Sequence, residues 1–227
     1  SYTVPEDLLA HWRHPALLLS QTCGYPLVTL LANVQTVGCF HYSAPGCEGR
    51  NYRSLLVARE ADGGKSLADF HGRRVACNSP DSQSGYNVLL KMIAPLSRDG
   101  RFFSTVAFSG SHRQSLRELQ QGTADIAAID CVTWALLQRH QPEALAGLTV
   151  IAHSPLAPGL PLITSATTPA ATLELLREAL QQLVSDERYQ PLCEALFICG
   201  YSDMRRADYQ PLLAWREEAA ARGVVRL

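Results

Sequence analysis

Between residues 73 and 153 short β-prone apolar runs alternate with segments of helical length, and this alternation restricts the fold more than any other feature of the chain. The runs fall at 73–77, 102–108, 126–129 and 148–153, with helical stretches at 85–96, 111–122 and 133–140 between them. Strands separated by helices of this size imply a parallel sheet, because a parallel pair needs a crossover that carries the chain back to the same end. Ahead of the block, 5–12 and 26–32 read as helices, 16–20 as an apolar strand buried on both faces, and 34–42 and 52–59 as strands joined through Pro45-Gly46. Behind it, the proline-rich stretch 155–161 leads to a strand at 162–165. Leucines at 173, 176, 180 and 183 then mark an amphipathic helix over 172–184. A last helical segment, 207–222, is expected on the surface.

A chain of 227 residues can bury one good core or two modest lobes, and 47% hydrophobic with 18% charged residues is globular, not disordered, composition. The net charge of −1 speaks against nucleic acid or an anionic membrane as partner. Arginine outnumbers lysine 18 to 2 without clustering into a basic patch. No apolar run reaches the ~20 residues of a membrane helix, and no stretch reads as a signal peptide. Seven cysteines leave at least one thiol unpaired. Cys39 and Cys47 bracket a loop that a disulfide can close, and Cys193 and Cys199 lie across a helix end; Cys23, Cys77 and Cys131 sit in apolar or motif surroundings. Cys39, His41 and Cys47 lack a second paired cluster, so no metal is expected, and no cofactor.

The segment from Gly72 to Tyr86 joins a strand to a helix through the polar turn Ser82-Gln83-Ser84-Gly85. Such a turn is ordinarily a helix cap. When hydroxyls and a glycine gather there, backbone N–H groups and the positive end of the helix dipole can also converge on an anion. Downstream come Gly110-Ser111-His112 and then Gly122-Thr-Ala-Asp-Ile-Ala-Ala-Ile-Asp130. His112 can donate to an oxyanion or simply open a helix, and Asp130 can answer a ligand amine or cap the helix that follows. Asp125 reads as a structural turn residue.

Together with Tyr52-Arg-Ser-Leu-Leu-Val57 and the run from Ser66 to Ala76, these segments resemble in order and spacing the PhnD-like family of periplasmic binding proteins. The resemblance covers roughly residues 50 to 165; beyond it the likeness is only to a generic helical tail. One departure stands out. The family's turn usually reads Ser-Thr-Ser-Gly, and here its second position is Gln83. The resemblance implies an α/β, two-lobed type 2 periplasmic-binding-protein-like fold, each lobe a mostly parallel sheet flanked by helices. Residues 1–70 and 158–227 would form one lobe and 71–157 the other, with hinges at 70–72 and 155–161.

It further implies a substrate-binding protein of an ABC importer, a monomer in the periplasm or on the outer face of a membrane, that serves a membrane permease and holds a small phosphonate or phosphate-type oxyanion between the lobes. The expected ligand residues are Ser82, Gln83, Ser84, Gly85, Ser111, His112 and Asp130, with Thr22, Tyr25 and Tyr52 from the other lobe. The family begins with a strand and helix ahead of the position of Ser1, so the chain is expected to be a trimmed piece or a receptor with an open-sided site. The rivals are an enzyme of cofactor-precursor synthesis or a ligand-sensing domain on the same fold. No Gly-x-Ser-x-Gly elbow, P-loop or His-Glu-x-x-His accompanies the enzyme reading, and no DNA-binding segment the sensing one.

Overall fold

A computed structural model describes residues 5–227. In chain order the first part holds α1 (Leu8–Trp12), β1 (Ser20–Gln21), α2 (Gly24–Thr29) and β2 (Gln35–Tyr42). β3 (Asn51–Tyr52) and β4 (Ser54–Arg59) lead into β5 (Arg74–Cys77), α3 (Val88–Ile93), β6 (Thr105–Phe108), α4 (His112–Gln121), β7 (Ile126–Asp130), α5 (Cys131–His140) and β8 (Leu148–His153). The chain returns through β9 (Ala157–Pro158), β10 (Pro161–Thr164), α6 (Ala170–Ser185), α7 (Gln190–Ala195), β11 (Ile198–Asp203) and α8 (Pro211–Ala221). Among the described residues, no helix is long and apolar enough to cross a membrane.

Two sheets organise two lobes. One has the order β1-β10-β2-β11 and the other β6-β5-β7-β4-β8. In the second sheet β5 pairs in parallel with β6 and β7, whereas β4 runs antiparallel to β7 and β8. Four of its strands therefore share a direction and β4 alone is reversed. The first sheet is antiparallel throughout, which corrects the expectation of a mostly parallel sheet there. The reason is the path of the chain. β1 and β2 point the same way across α2, while β10, returning from the other lobe, and β11, following α6 and α7, pair against them in the opposite sense.

The lobe boundary also moves. The segment 52–59 is not one strand: it breaks at Arg53, with β3 pairing to β9 and β4 lying deep in the second sheet. Residues 54–70 thus belong with the second lobe, and the crossings lie at 51–53 and 154–158 instead of at 70–72. Ser154 marks them: its hydroxyl accepts from Ser54 N at 2.8 Å and its N–H donates to Ser54 O at 2.9 Å. The C-terminal helix departs from expectation too. α8 packs on α3 of the second lobe, where Lys91 meets Glu218 at 2.7 Å and lies 5.1 Å over the ring of Trp215.

Burial follows the pattern of the residues. β4 and β7 are apolar along almost their whole length and buried on both faces, as central strands between helical layers must be. α4 is capped by Ser111 and closed by Gly122 in the left-handed region at φ 75°, so that Leu116 and Leu119 turn inward. The leucines of α6 at 173, 176, 180 and 183 cover Val37, Leu162 and Tyr201 of the first sheet. The run at 16–20 behaves differently: only Ser20–Gln21 pair, and Leu18 stays 59% exposed, because β1 is an edge strand with β10 as its one neighbour in the sheet.

Asp125 anchors the far end of the second sheet. Its carboxylate accepts from Arg74 N, Nε and Nη2 at 3.0, 2.9 and 2.9 Å and from Arg59 Nη2 at 2.7 Å. Hydrogen bonds from Arg74, ahead of those from Arg59, hold this carboxyl well below the usual carboxylate range against the opposing effect of burial. Its folded pKa lies below the unfolded one, so its contribution to stability is present above an unfolded carboxylate pKa of about 3.9 and is lost as pH falls through the folded value. The arginines are partly in solvent, which screens the pair, so Asp125→Ala is expected to cost about 2–3 kcal/mol in urea unfolding at pH 7. The gap between variant and wild type should narrow on acidification below about pH 4.

Candidate ligand-binding site

The parallel neighbours β6, β5 and β7 end side by side, and the chain after each delivers a polar group to one place, as expected at the carboxyl ends of parallel strands. After β5 comes the 82–85 turn, whose residues are buried. Ser82 caps the helix: its Oγ accepts from Gly85 N at 3.0 Å. The first turn, Gln83–Asn87, is π-helical, with Asn87 N donating to Ser82 O at 2.9 Å, and α3 continues from it. Such widened turns recur at functional sites because they re-aim side chains without ending the helix. Gly85 is needed for close approach, since a Cβ there would lie 1.8 Å from Asn78 Oδ1.

Ser84 is the hub. Its Oγ lies 2.8 Å from His112 Nε2, and its carbonyl accepts from Ser54 Oγ at 2.7 Å. His112 Nε2 lies 3.5 Å from Asp130 Oδ2. Asp130 caps α5: Oδ1 accepts from Thr133 N at 2.8 Å, and Oδ2 accepts from the Thr133 hydroxyl. Asp130 therefore caps α5 while facing His112. Burial pushes the His112 imidazolium below its ordinary range, with Asp130 opposing the shift in part. Serine, histidine and carboxylate in contact resemble a hydrolytic triad, but the geometry differs. Both partners address Nε2, whereas in a triad the serine and the carboxylate meet opposite ring nitrogens.

From the first lobe Cys23 and Tyr52 come near Asp130, and Thr22 precedes Cys23 in the chain. Thr22 Oγ1, Tyr52 OH and Gln83 Nε2 are buried without hydrogen-bond partners. Burial, then Cys23 and Asp130, raise the Tyr52 phenol well above its usual range. Cys23, pushed up to about 12 mainly by burial and then by Asp130, has the Gln83 backbone N–H facing its sulfur. No lysine or arginine side chain is hydrogen-bonded to Ser84, His112, Asp130, Thr22 or Tyr52 among the described residues.

Three expected residues stand apart from the cluster. Ser111 is exposed, and its hydroxyl accepts from Gln114 N at 3.1 Å as an ordinary helix cap. Tyr25 is buried on α2 close to Tyr86, toward the C-terminal end of the chain. Gln83 turns its side chain away: Oε1 accepts from Asn87 Nδ2 at 2.8 Å, and Asn87 also donates to Leu212 O of α8 at 3.1 Å. Its amide therefore reaches toward the C-terminal helix where a hydroxyl would have stayed at the turn. Conversely, Ser54, Ser154 and Cys23 belong to the site's frame without having been singled out. Ser54 lies inside the Tyr52–Val57 segment, Cys23 in the polar turn after an apolar run, and Ser154 in no motif.

Two α/β lobes joined by short crossing strands, with polar groups gathered where the lobes meet, define the class of solute-binding proteins that close on a ligand. The family model described as ABC transporter, phosphonate, periplasmic substrate-binding protein matches residues 17–209, and the chain belongs to that family. Members of this family are transporter substrate-binding proteins. Among solved structures it is similar to PhnD1 from Prochlorococcus marinus in complex with methylphosphonate, with a TM-score of 0.77 at 13% identity over 93% of this chain and 82% of that one. A binding protein component of an ABC phosphonate transporter from Pseudomonas aeruginosa gives 0.76 at 19% identity, over 90% and 69%. The alkanesulfonate-binding protein SsuA from Xanthomonas axonopodis pv. citri, bound to MOPS, gives 0.67 at 14%, over 97% and 80%. At these identities the structures attest the type 2 fold. No curated protein matches the chain.

The depressed pKa of His112 sets a pH dependence. Below an unfolded value of about 6.5 the unfolded chain takes up a proton that the folded site resists, so stability falls as pH drops through that value. Urea unfolding at pH 7.5 and 5.5 should show a smaller loss on acidification for His112→Gln than for wild type. An equal loss would mean that His112 is not held neutral.

Proposed function

We propose that this chain captures a small phosphonate or phosphate ester between its lobes and hands it to an ABC permease, working as a monomeric receptor in the periplasm without chemical turnover. The observation that carries this reading is the set of buried groups left without partners. Thr22 Oγ1 and Tyr52 OH are hydroxyls able to donate, and both are buried without a hydrogen-bond partner. A buried donor without an acceptor costs about 1–3 kcal/mol, and a ligand rich in acceptor oxygens relieves both at once. The start of the 83–93 helix and the Ser84 hydroxyl add favourable dipoles at the same point.

Charge is then met by hydrogen bonds and not by a cationic clamp. Asp130, 5% exposed and beside His112, disfavours a bare dianion and favours a ligand that carries an ammonium group as well as the phosphorus oxygens. The family membership supports the ligand class, and the methylphosphonate and MOPS complexes of similar folds show small oxyanions in such proteins.

Calorimetry with methylphosphonate, 2-aminoethylphosphonate, inorganic phosphate, an alkanesulfonate and amino acids tests the reading. A phosphonate should bind most tightly, with the amine-bearing one ahead. A charge-assisted hydrogen bond is worth about 1.5–3 kcal/mol, so Ser84→Ala should weaken binding by roughly ten- to a hundredfold. Ser82→Ala combines lost binding with a lost helix cap of about 1 kcal/mol, which unfolding experiments separate. Binding of amino acids with indifference to every phosphorus oxyanion, and an unaltered Ser84→Ala variant, would sink both site and ligand class.

A further inference from the structure

Two of the seven thiols meet although 84 residues separate them: Cys47 Sγ and Cys131 Sγ lie 3.4 Å apart. Cys39, the partner that loop length alone suggests for Cys47, is instead buried in β2 near the Arg50 carbonyl. Cys47 belongs to the loop after β2, which Ser43 ties to the first lobe by donating its N–H to Phe197 O at 2.7 Å. Cys131 opens α5 in the second lobe, next to Asp130. The contact between the two thiols therefore crosses the lobe boundary.

The loop is fitted to this approach. Gly46 has a φ of 100°, and a Cβ there would sit 3.1 Å from Cys131 Cβ, so a glycine is what lets the loop lie against α5. Arg53 fastens both sides. Its Nε donates to Gly46 O at 3.1 Å and its Nη2 to Glu48 Oε1 at 2.7 Å, while its carbonyl accepts from Cys131 N at 3.0 Å.

The two thiols differ in access: Cys47 is partly exposed, whereas Cys131 is buried at the first position of α5. Cys47 is thus the thiol that meets an external oxidant and Cys131 the resolving thiol.

We propose that Cys47 and Cys131 form a reversible disulfide that bolts the first-lobe loop to α5 and restrains opening of the cleft. The oxidant is a small-molecule or protein disulfide. The Cys47 thiol loses its proton and its thiolate attacks one of the oxidant's sulfurs; the oxidant's S–S bond breaks, and a thiolate leaves as a mixed disulfide forms. The Cys131 thiol then loses its proton and attacks the Cys47 sulfur, expelling the second thiolate. Two protons and two electrons pass in all from the cysteine pair to the oxidant, which ends as two thiols.

The test uses the whole chain without any phosphorus ligand, so its failure is distinct from failure of the phosphonate reading. After treatment with oxidised glutathione, maleimide labelling and peptide mapping should find five free thiols, seven minus two, with the bond between Cys47 and Cys131. Hydrogen exchange of the cleft segments 21–25 and 82–85 should be about tenfold slower in the oxidised than in the reduced protein. Cys47→Ser, at a partly exposed position, should exchange at the reduced rate with or without oxidant, and dithiothreitol should reverse the effect in wild type. Seven labelled thiols after oxidation, or a bond to another cysteine, would overturn the pairing. A mapped Cys47–Cys131 bond with unchanged exchange would overturn the restraint.

Discussion

The parallel run of β6, β5 and β7 is the constraint on which the site depends. Parallel strands must each be followed by a helix that carries the chain back, so the three carboxyl ends lie on one side of the sheet and the helices begin there together. Ser84, His112 and Asp130 come from distant parts of the chain and meet because those strands are neighbours. The same arrangement aims the start of the 83–93 helix and that of α5 at the cluster. Capping and ligand binding draw on the same geometry here, which is why Ser82 and Asp130 perform the first while standing where the second would occur.

The crossing strands give this site its second wall. Ser54 sits where the chain enters the second sheet, and its hydroxyl grips the Ser84 carbonyl directly. A change in the angle between the lobes would pass through Ser54 and Ser154 to the 82–85 turn. Burial of Thr22 Oγ1 and Tyr52 OH without partners is costly, and an acceptor brought to them would offset that cost.

Much of this was legible in the residues. The alternation from 73 to 153 yields β5, β6, β7 and β8 in order, the leucines of α6 land on the first sheet, and the ordered motifs lead to the family that the sequence match establishes. His112 falls beside Ser84 and Asp130. The shortening of the 16–20 run to the edge strand Ser20–Gln21, the break at Arg53 and the docking of α8 on α3 were not legible. In each case hydropathy marks a residue as apolar but does not tell which sheet or lobe will cover it.

What the sequence by itself determined was local: strand, capped turn and helix, and the residue types that can hold an oxyanion, because spacing and hydrogen-bonding capacity are properties of neighbouring residues. Tertiary structure decided everything that depends on which elements lie side by side. It turned Gln83 toward α8, left Ser111 as an exposed cap, and set Cys47 against Cys131 instead of Cys39. Contacts across 84 residues are fixed by the sheet order and the lobe crossing, and no local periodicity carries that information.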